Sequence, residues 1–132
     1  MLNKIKKLFK WRPAELSEVK TPQNQDATFL LTHHDVEIGV LSLHQGVWTF
    51  EYTEDYKKQE HLKPLVNFPD KNKTYTYQQL PPFFASRLPG LGQPVVRHFL
   101  EKEGIDEADE VTMLKKFGKR TIANPYVLEL AY

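Results

Sequence analysis

The chain has 132 residues, of which 40% are apolar and 12% aromatic, enough large side chains for one domain with a hydrophobic core. Its eighteen basic and seventeen acidic residues leave a formal net charge of +1, so no positive field covers the domain and a dedicated nucleic-acid-binding protein is disfavoured. The chain has no cysteine, which excludes disulfide scaffolds, thiolate metal sites and cysteine nucleophiles.

Residues 1–26 are predicted to be a basic N-terminal arm and linker, and residues 27–132 the folded domain. Met1–Trp11 places apolar residues at helical spacing with lysines mostly on the other side, and Pro13 ends this pattern. The pattern is compatible with a solvated terminus, with an amphipathic helix that packs on the domain or a partner, and with membrane or nucleic-acid contact. The polar Ser17–Asp26 predicts a linker.

The sequence also predicts where the protein works. No apolar run approaches the roughly 18 residues of a transmembrane helix. No apolar stretch of a signal peptide follows the basic N-terminus. Because a chain without disulfides suits a reducing compartment, the expected location is the cytoplasm.

Three strands are predicted in succession: Thr28–His34, Val36–Leu43 and Val47–Thr53. A hairpin turn is expected between the last two strands, because Gly46 can take a positive φ. In the third strand Trp48, Phe50 and Tyr52 alternate with other residues, which places all three on one face of the sheet. That face is predicted to be the core.

The middle of the chain is less regular. His61–Phe68 is interrupted by Pro64, which predicts an edge strand or an extended segment. Pro69–Lys73 is predicted to be a charged turn, and Thr74–Tyr77 a brief strand or an exposed loop.

The second half of the chain is predicted to be helical. The three helices and the final strand are Phe83–Leu88, Pro94–Glu103, Asp109–Phe117 and Tyr126–Leu130. Pro94 suits the first helical position, Gly104 and Gly118 suit helix ends, and Asp106 or Asp109 suits an N-cap. The predicted fold class is therefore α+β, with a small antiparallel sheet or half-barrel, two or three short helices and a final strand.

No catalytic motif, cofactor site or metal site is expected. Gly90-Leu91-Gly92 opens like a dinucleotide loop, but it follows a helix and Val95 stands where a third glycine belongs. The five histidines lack the spacing of a metal site. The acidic residues of 106–110 are explained by the positive end of a helix dipole.

Several short motifs occur in a recognisable order over residues 28–131. They are Ile38-Gly39-Val40-Leu41, Thr49-Phe50-Glu51-Tyr52 with Tyr56, Pro82-Phe83-Phe84, Leu88-Pro89-Gly90, and Met113-Leu114 with Gly118. Together they resemble the N-terminal subdomain of the HipA family of serine/threonine kinase toxins. The chain departs from that pattern in two places, since no glutamate follows Pro89 and Asn124-Pro125-Tyr126 begins the last strand.

The resemblance implies an accessory subdomain without its catalyst, because the phosphate loop, metal-binding acid and catalytic Asp of a kinase are not found in the sequence. The free-standing form resembles the HipS family of HipBST toxin–antitoxin systems. There HipS binds the separate kinase HipT and neutralises it, beside a DNA-binding HipB. The resemblance thus implies an antitoxin for a HipT-like serine/threonine kinase, with a HipB-like helix-turn-helix protein in the same complex and no sequence-specific contact with nucleic acid.

Partner contacts are expected in the Phe83–Leu91 segment and the Tyr75–Tyr77 loop, with Trp48 as a rival anchor. The expected contact residues are Tyr75, Tyr77, Phe83, Phe84, Arg87, Leu88, Leu91 and Trp48. On this hypothesis, Arg87→Ala and Tyr77→Ala weaken binding to a kinase encoded nearby without lowering the melting temperature.

Three other functions stay open. The first is an accessory subunit that supports the kinase or the repressor complex through the basic arm. The second is a DNA-associated regulator, which salt-dependent DNA binding by the isolated chain would favour. The third is a remnant enzyme or ligand-binding domain, which a bound nucleotide or metal would reveal.

Overall fold

The computed structural model describes residues 19–131, so the amphipathic pattern of Met1–Trp11 lies outside the described residues. The strands are β1 (Ala27–His33), β2 (Val36–His44), β3 (Val47–Tyr52), β4 (Tyr75–Tyr77) and β5 (Val127–Leu130). The helices are α1 (Glu54–Lys58), α2 (Pro82–Ala85), α3 (Pro94–Glu103) and α4 (Glu110–Phe117). The strands form one antiparallel sheet in the order β4-β3-β2-β1-β5, which confirms the predicted α+β class.

Two tight hairpins join the first three strands. Their turns are His34-Asp35 and Gln45-Gly46, and all four residues have φ between 48° and 76°. Two consecutive left-handed residues are typical of the type I′ turn, whose twist matches that of the paired strands. The hairpin predicted at Gly46 is confirmed, and β1 ends one residue before its predicted end because His34 belongs to the turn.

The inner face of the sheet carries the main hydrophobic core. Trp48, Phe50 and Tyr52 are all buried there, as their alternation predicts. Gly39 lies opposite Tyr52 on β2, and a Cβ at this position would lie 2.4 Å from an atom of the Phe50 ring. A larger residue at position 39 would therefore displace that ring.

The helices α3 and α4 enclose a second, smaller core cluster. Its buried residues are Val96, Leu100, Ala108 and Met113. Gly104 ends α3 with a φ of 67°, and Asp109 begins α4 by accepting a hydrogen bond from the Thr112 backbone N–H at 2.8 Å. Both helices lie where the sequence predicts them, and Asp109 is the N-cap of α4.

Two predicted elements differ from the structure. Of the two forms predicted for His61–Phe68, the edge strand does not form, since Pro64 cannot donate to a ladder, and the segment is irregular with a turn at Val66-Asn67. The helix predicted at Phe83–Leu88 is the four-residue α2, which begins one residue earlier because proline fits the first helical turn.

The helix α1 was not predicted, although its caps are readable in the sequence. The Thr53 hydroxyl accepts a hydrogen bond from the Tyr56 N–H at its N-terminus. Beyond its C-terminus, the Lys71 ammonium donates to the carbonyl oxygens of Tyr56, Gln59 and Leu62 at 2.8–3.1 Å. Lys71 thereby ties the irregular segment after α1 to the helix.

Candidate protein-binding groove

Three of the residues predicted to contact a partner are buried inside the domain. Trp48 and Phe84 belong to the main core, and Arg87 is only 6% exposed. Their side chains therefore pack inside the domain and are not exposed at its surface.

Arg87 bridges α2 to the segment before β5. Its Nη1 donates to the carbonyl oxygens of Gly118 and Lys119, and its Nη2 to Asn124 Oδ1 and the Tyr126 carbonyl, all at 3.0–3.1 Å. Burial lowers the pKa of the guanidinium from its ordinary value. The Nε atom has no hydrogen-bond partner among residues 19–131. Arg87 thus positions residues 118–126 and does not itself form a contact surface.

Tyr75, Tyr77 and Phe83 are half-buried and meet at Phe68. Their ring centroids lie 5.2, 6.4 and 5.8 Å from that of Phe68, all in edge-on arrangements. The structure therefore brings together the two segments in which partner contacts were expected. Leu88 and Leu91 are also half-buried; Leu91 packs on the smaller core cluster, and Leu88 packs on both clusters.

An open groove of about 550 Å³ lies beside this aromatic cluster. Its first wall is residues 63–67, its second is Pro82, Phe83 and Ser86, and its third is Ala123, Asn124 and Tyr126. Seven of these eleven lining residues are aliphatic, proline or aromatic, and the other four are polar or charged. We call it the 63–126 groove.

Two core tyrosines fix the first wall of the groove. The Tyr52 hydroxyl accepts a hydrogen bond from the Leu65 N–H at 2.8 Å and donates to the Phe68 carbonyl at 2.6 Å. The Tyr56 hydroxyl donates to the Lys63 carbonyl at 2.6 Å. Because Arg87 binds Asn124 and Tyr126 in the third wall, hydrogen bonds within the domain hold two of the three walls.

Burial raises the pKa of the Tyr52 hydroxyl, and also those of Tyr56 and Tyr77. Each of these tyrosines holds its proton more tightly in the folded chain than in the unfolded chain. The stability linked to that difference is complete below the unfolded pKa of about 10 and is lost as the pH rises above it.

Replacing Tyr52 with phenylalanine is expected to make the free energy of unfolding fall less steeply as the pH rises above about 10. Each raised tyrosine lowers the free energy of unfolding by up to about 1.4 kcal/mol per pH unit above about pH 10, and Tyr52→Phe removes one of them. At about pH 9 the substitution costs about 1–3 kcal/mol, because it unpairs the Leu65 N–H and the Phe68 carbonyl. Urea unfolding at about pH 9 and about pH 11 measures both effects, and equal pH dependence in the two proteins would contradict the expectation.

A buried acidic residue lies at the centre of the domain. The side-chain oxygens of Glu110 accept hydrogen bonds from Trp48 Nε1 at 2.7 Å, the Thr21 hydroxyl at 2.6 Å and the Leu80 N–H at 2.8 Å. In addition, the Glu110 N–H donates to the Lys20 carbonyl at 2.9 Å. Residues 20 and 21, in the predicted linker, are thus hydrogen-bonded to the domain.

Sequence reasoning missed the role of Glu110. It treated the acidic residues of 106–110 as one group beside a helix dipole, and only the burial of Glu110 separates it from its neighbours. One signal was present, because a tryptophan assigned to the core needs a partner for its indole N–H.

Neither a metal site nor a membrane span is found in the part of the chain that the structure describes. No three His, Asp or Glu side chains within residues 19–131 are grouped so as to hold a metal ion. Among the same residues, no helix has the length and apolar character needed to cross a bilayer.

The fold is a small α+β domain with an open antiparallel sheet, and the 63–126 groove is an open surface groove of mixed apolar and polar lining. Residues 30–123 match the HipA N-terminal domain family, and this range is more than half of the chain. The chain therefore belongs to the HipA N-terminal domain family. No curated protein shows significant sequence similarity to it.

Proposed function

We propose that this chain binds a HipA-type serine/threonine kinase core carried on a separate polypeptide and neutralises it. The observation that carries the proposal is the preformed 63–126 groove in a domain of the HipA N-terminal family. In HipA kinases, the resemblance implies, this domain packs against the kinase within one chain. The same kind of contact between two chains gives an antitoxin.

The mechanism needs no reactive group on this chain. Phosphoryl transfer depends almost entirely on positioning the nucleotide, the metal ions and the acceptor. A rigid domain that holds the nucleotide loop in an unproductive position, or covers the cleft, therefore stops the reaction by contact alone. A standard interface of about 800 Å² per partner is sufficient for stable binding.

The proposal is tested by titrating the purified protein into a HipA-type kinase core that lacks this domain and is encoded beside this gene. The phosphorylation rate should fall with the fraction of kinase bound and approach zero at saturation. The matched control is a HipA-type kinase that contains its own N-terminal domain. Its docking surface is already occupied, so the added protein should leave its rate unchanged.

Two results would contradict neutralisation. A rate that rises with added protein would favour the accessory subunit, the main alternative. A rate that stays constant with no complex formed would reject kinase binding. The HipB-like partner and the cytoplasmic location stay predictions of the sequence.

A further inference from the structure

Two aliphatic residues, one in the lining of the 63–126 groove and one next to it in sequence, are far more exposed than the other large apolar residues of 19–131. Val66 is 94% exposed and Ile122 fully exposed, whereas the other exposed large hydrophobic residues of 19–131 range from 38% to 56%. Val66 lines the groove, and Ile122 precedes its third wall. A single exposed apolar residue is ordinary, but two in the same wall segments favour a contact surface there.

The charged residues in the segments that form the groove walls are all basic. The three segments that form its walls, 61–68, 82–88 and 118–126, contain no Asp or Glu. Lys63 lines the groove, Arg120 is exposed two residues before Ile122, and Lys119 pairs with Glu129 at 3.7 Å.

The contrast with the whole domain is clear from the charge count. Residues 1–18 hold five of the eighteen basic and two of the seventeen acidic residues, so the remainder holds thirteen basic and fifteen acidic. Basic side chains in the wall segments of a slightly negative domain favour a negative partner segment.

Ordering the groove walls when a partner binds should cost little conformational free energy. Tyr52 and Tyr56 hold the first wall and Arg87 holds the third through hydrogen bonds that exist in the free chain. A partner that enters such a site does not have to order these segments, which favours affinity.

We infer that the 63–126 groove takes a segment of the kinase that carries a large apolar side chain beside one or more carboxylates. The inference rests on the proposed function and specifies the chemistry of its contact. The apolar side chain lies between Val66, Ile122 and the Phe83 ring, and the carboxylates face Lys63 and Arg120. Charge complementarity of this kind sets partner choice and the rate of association.

The apolar part of the contact is tested with Val66→Glu and Ile122→Glu in the full chain. Each should weaken binding to the kinase core at least about tenfold in a calorimetric titration. The melting temperature should not change, because both side chains are surrounded by solvent. The matched control is Val95→Glu on α3, which is 56% exposed outside the groove and should bind like the unchanged protein.

The charged part is tested with Lys63→Glu against Lys58→Glu, an exposed lysine of α1 outside the groove lining. Lys63→Glu should weaken binding about tenfold and reduce its salt dependence, since it repels the carboxylates. Lys58→Glu should change neither quantity.

The outcomes separate this inference from the function on which it rests. If the unchanged protein binds the kinase core and the groove variants bind equally well, the groove is the wrong surface and the proposed function stands. If only the apolar variants lose affinity, the acidic chemistry of the occupant is wrong. If the unchanged protein does not bind the kinase core at all, the proposed function fails and the inference falls with it.

Discussion

Replacing Arg87 with methionine is expected to lower the free energy of unfolding by about 3 kcal/mol or more. The substitution keeps an unbranched side chain in the core but removes four hydrogen bonds at once. The Lys119 carbonyl and Asn124 Oδ1 still accept from the Leu128 and Tyr126 N–H groups. The Gly118 and Tyr126 carbonyls lose the donor that Arg87 supplies, and an unpaired buried acceptor costs about 1–3 kcal/mol. Urea unfolding of both proteins at neutral pH measures the difference.

Two control variants test whether the loss of stability comes from the hydrogen bonds of the buried Arg87 guanidinium. Arg120→Met changes an exposed arginine and should alter stability by less than about 0.5 kcal/mol. Arg87→Lys should recover only part of the loss, because one ammonium cannot reach both sides of the planar guanidinium. Full stability in Arg87→Met would mean that residues 118–126 are held by other contacts.

This prediction replaces the one made from the sequence. Arg87→Ala was expected to weaken kinase binding without lowering the melting temperature. Because Arg87 is buried and holds the third wall of the groove, its loss should lower both. Surface variants such as Val66→Glu are therefore the correct probes of binding.

Replacing Glu110 with alanine is expected to cost about 2–4 kcal/mol of stability. The Trp48 indole N–H and the Leu80 N–H are both buried, and each loses its acceptor. Thr21 also loses its side-chain hydrogen bond to α4, while the backbone hydrogen bonds of Lys20 remain. Thermal or urea unfolding measures the loss, and proteolysis near residue 21 should become faster if the segment is released.

The matched control is Glu107→Ala, three residues earlier. Glu107 is exposed and makes one surface ion pair with Lys20 at 3.4 Å, so its removal should cost less than about 1 kcal/mol. If the two alanine variants were equally stable, the buried hydrogen bonds of Glu110 would contribute nothing measurable.

The sequence was sufficient wherever the structure depends on local pattern. The alternation of Trp48, Phe50 and Tyr52 defines the core face of β3 because side chains alternate along any strand. The bounds of α3 and α4 follow from Pro94, Gly104 and Asp109, whose cap preferences act within one turn. The helix α1 carried equally local signals and was overlooked.

The sequence was insufficient wherever the structure depends on distant partners. Arg87 binds groups 31 to 39 residues further along the chain, and Glu110 meets Trp48 and Thr21 from 62 and 89 residues away. No local pattern reports such pairings, so an arginine beside two phenylalanines was interpreted as a surface anchor. The groove was unpredictable for the same reason, since its walls come from three separate segments.

The buried polar groups connect the fold to the proposed function. The irregular segments that form the groove, rather than the sheet, are hydrogen-bonded by the side chains of Tyr52, Tyr56 and Arg87. The domain thereby gives loops the rigidity that a binding surface requires. Variants of these three residues should consequently lose affinity and stability together.

Sedimentation velocity of this protein mixed in equal amounts with a HipA-type kinase core that lacks this domain tests the central claim most directly. The account predicts one faster species that contains both chains and has no kinase activity. Two species that sediment independently at concentrations of about 10 μM, well above the dissociation constants of stable complexes, would contradict it.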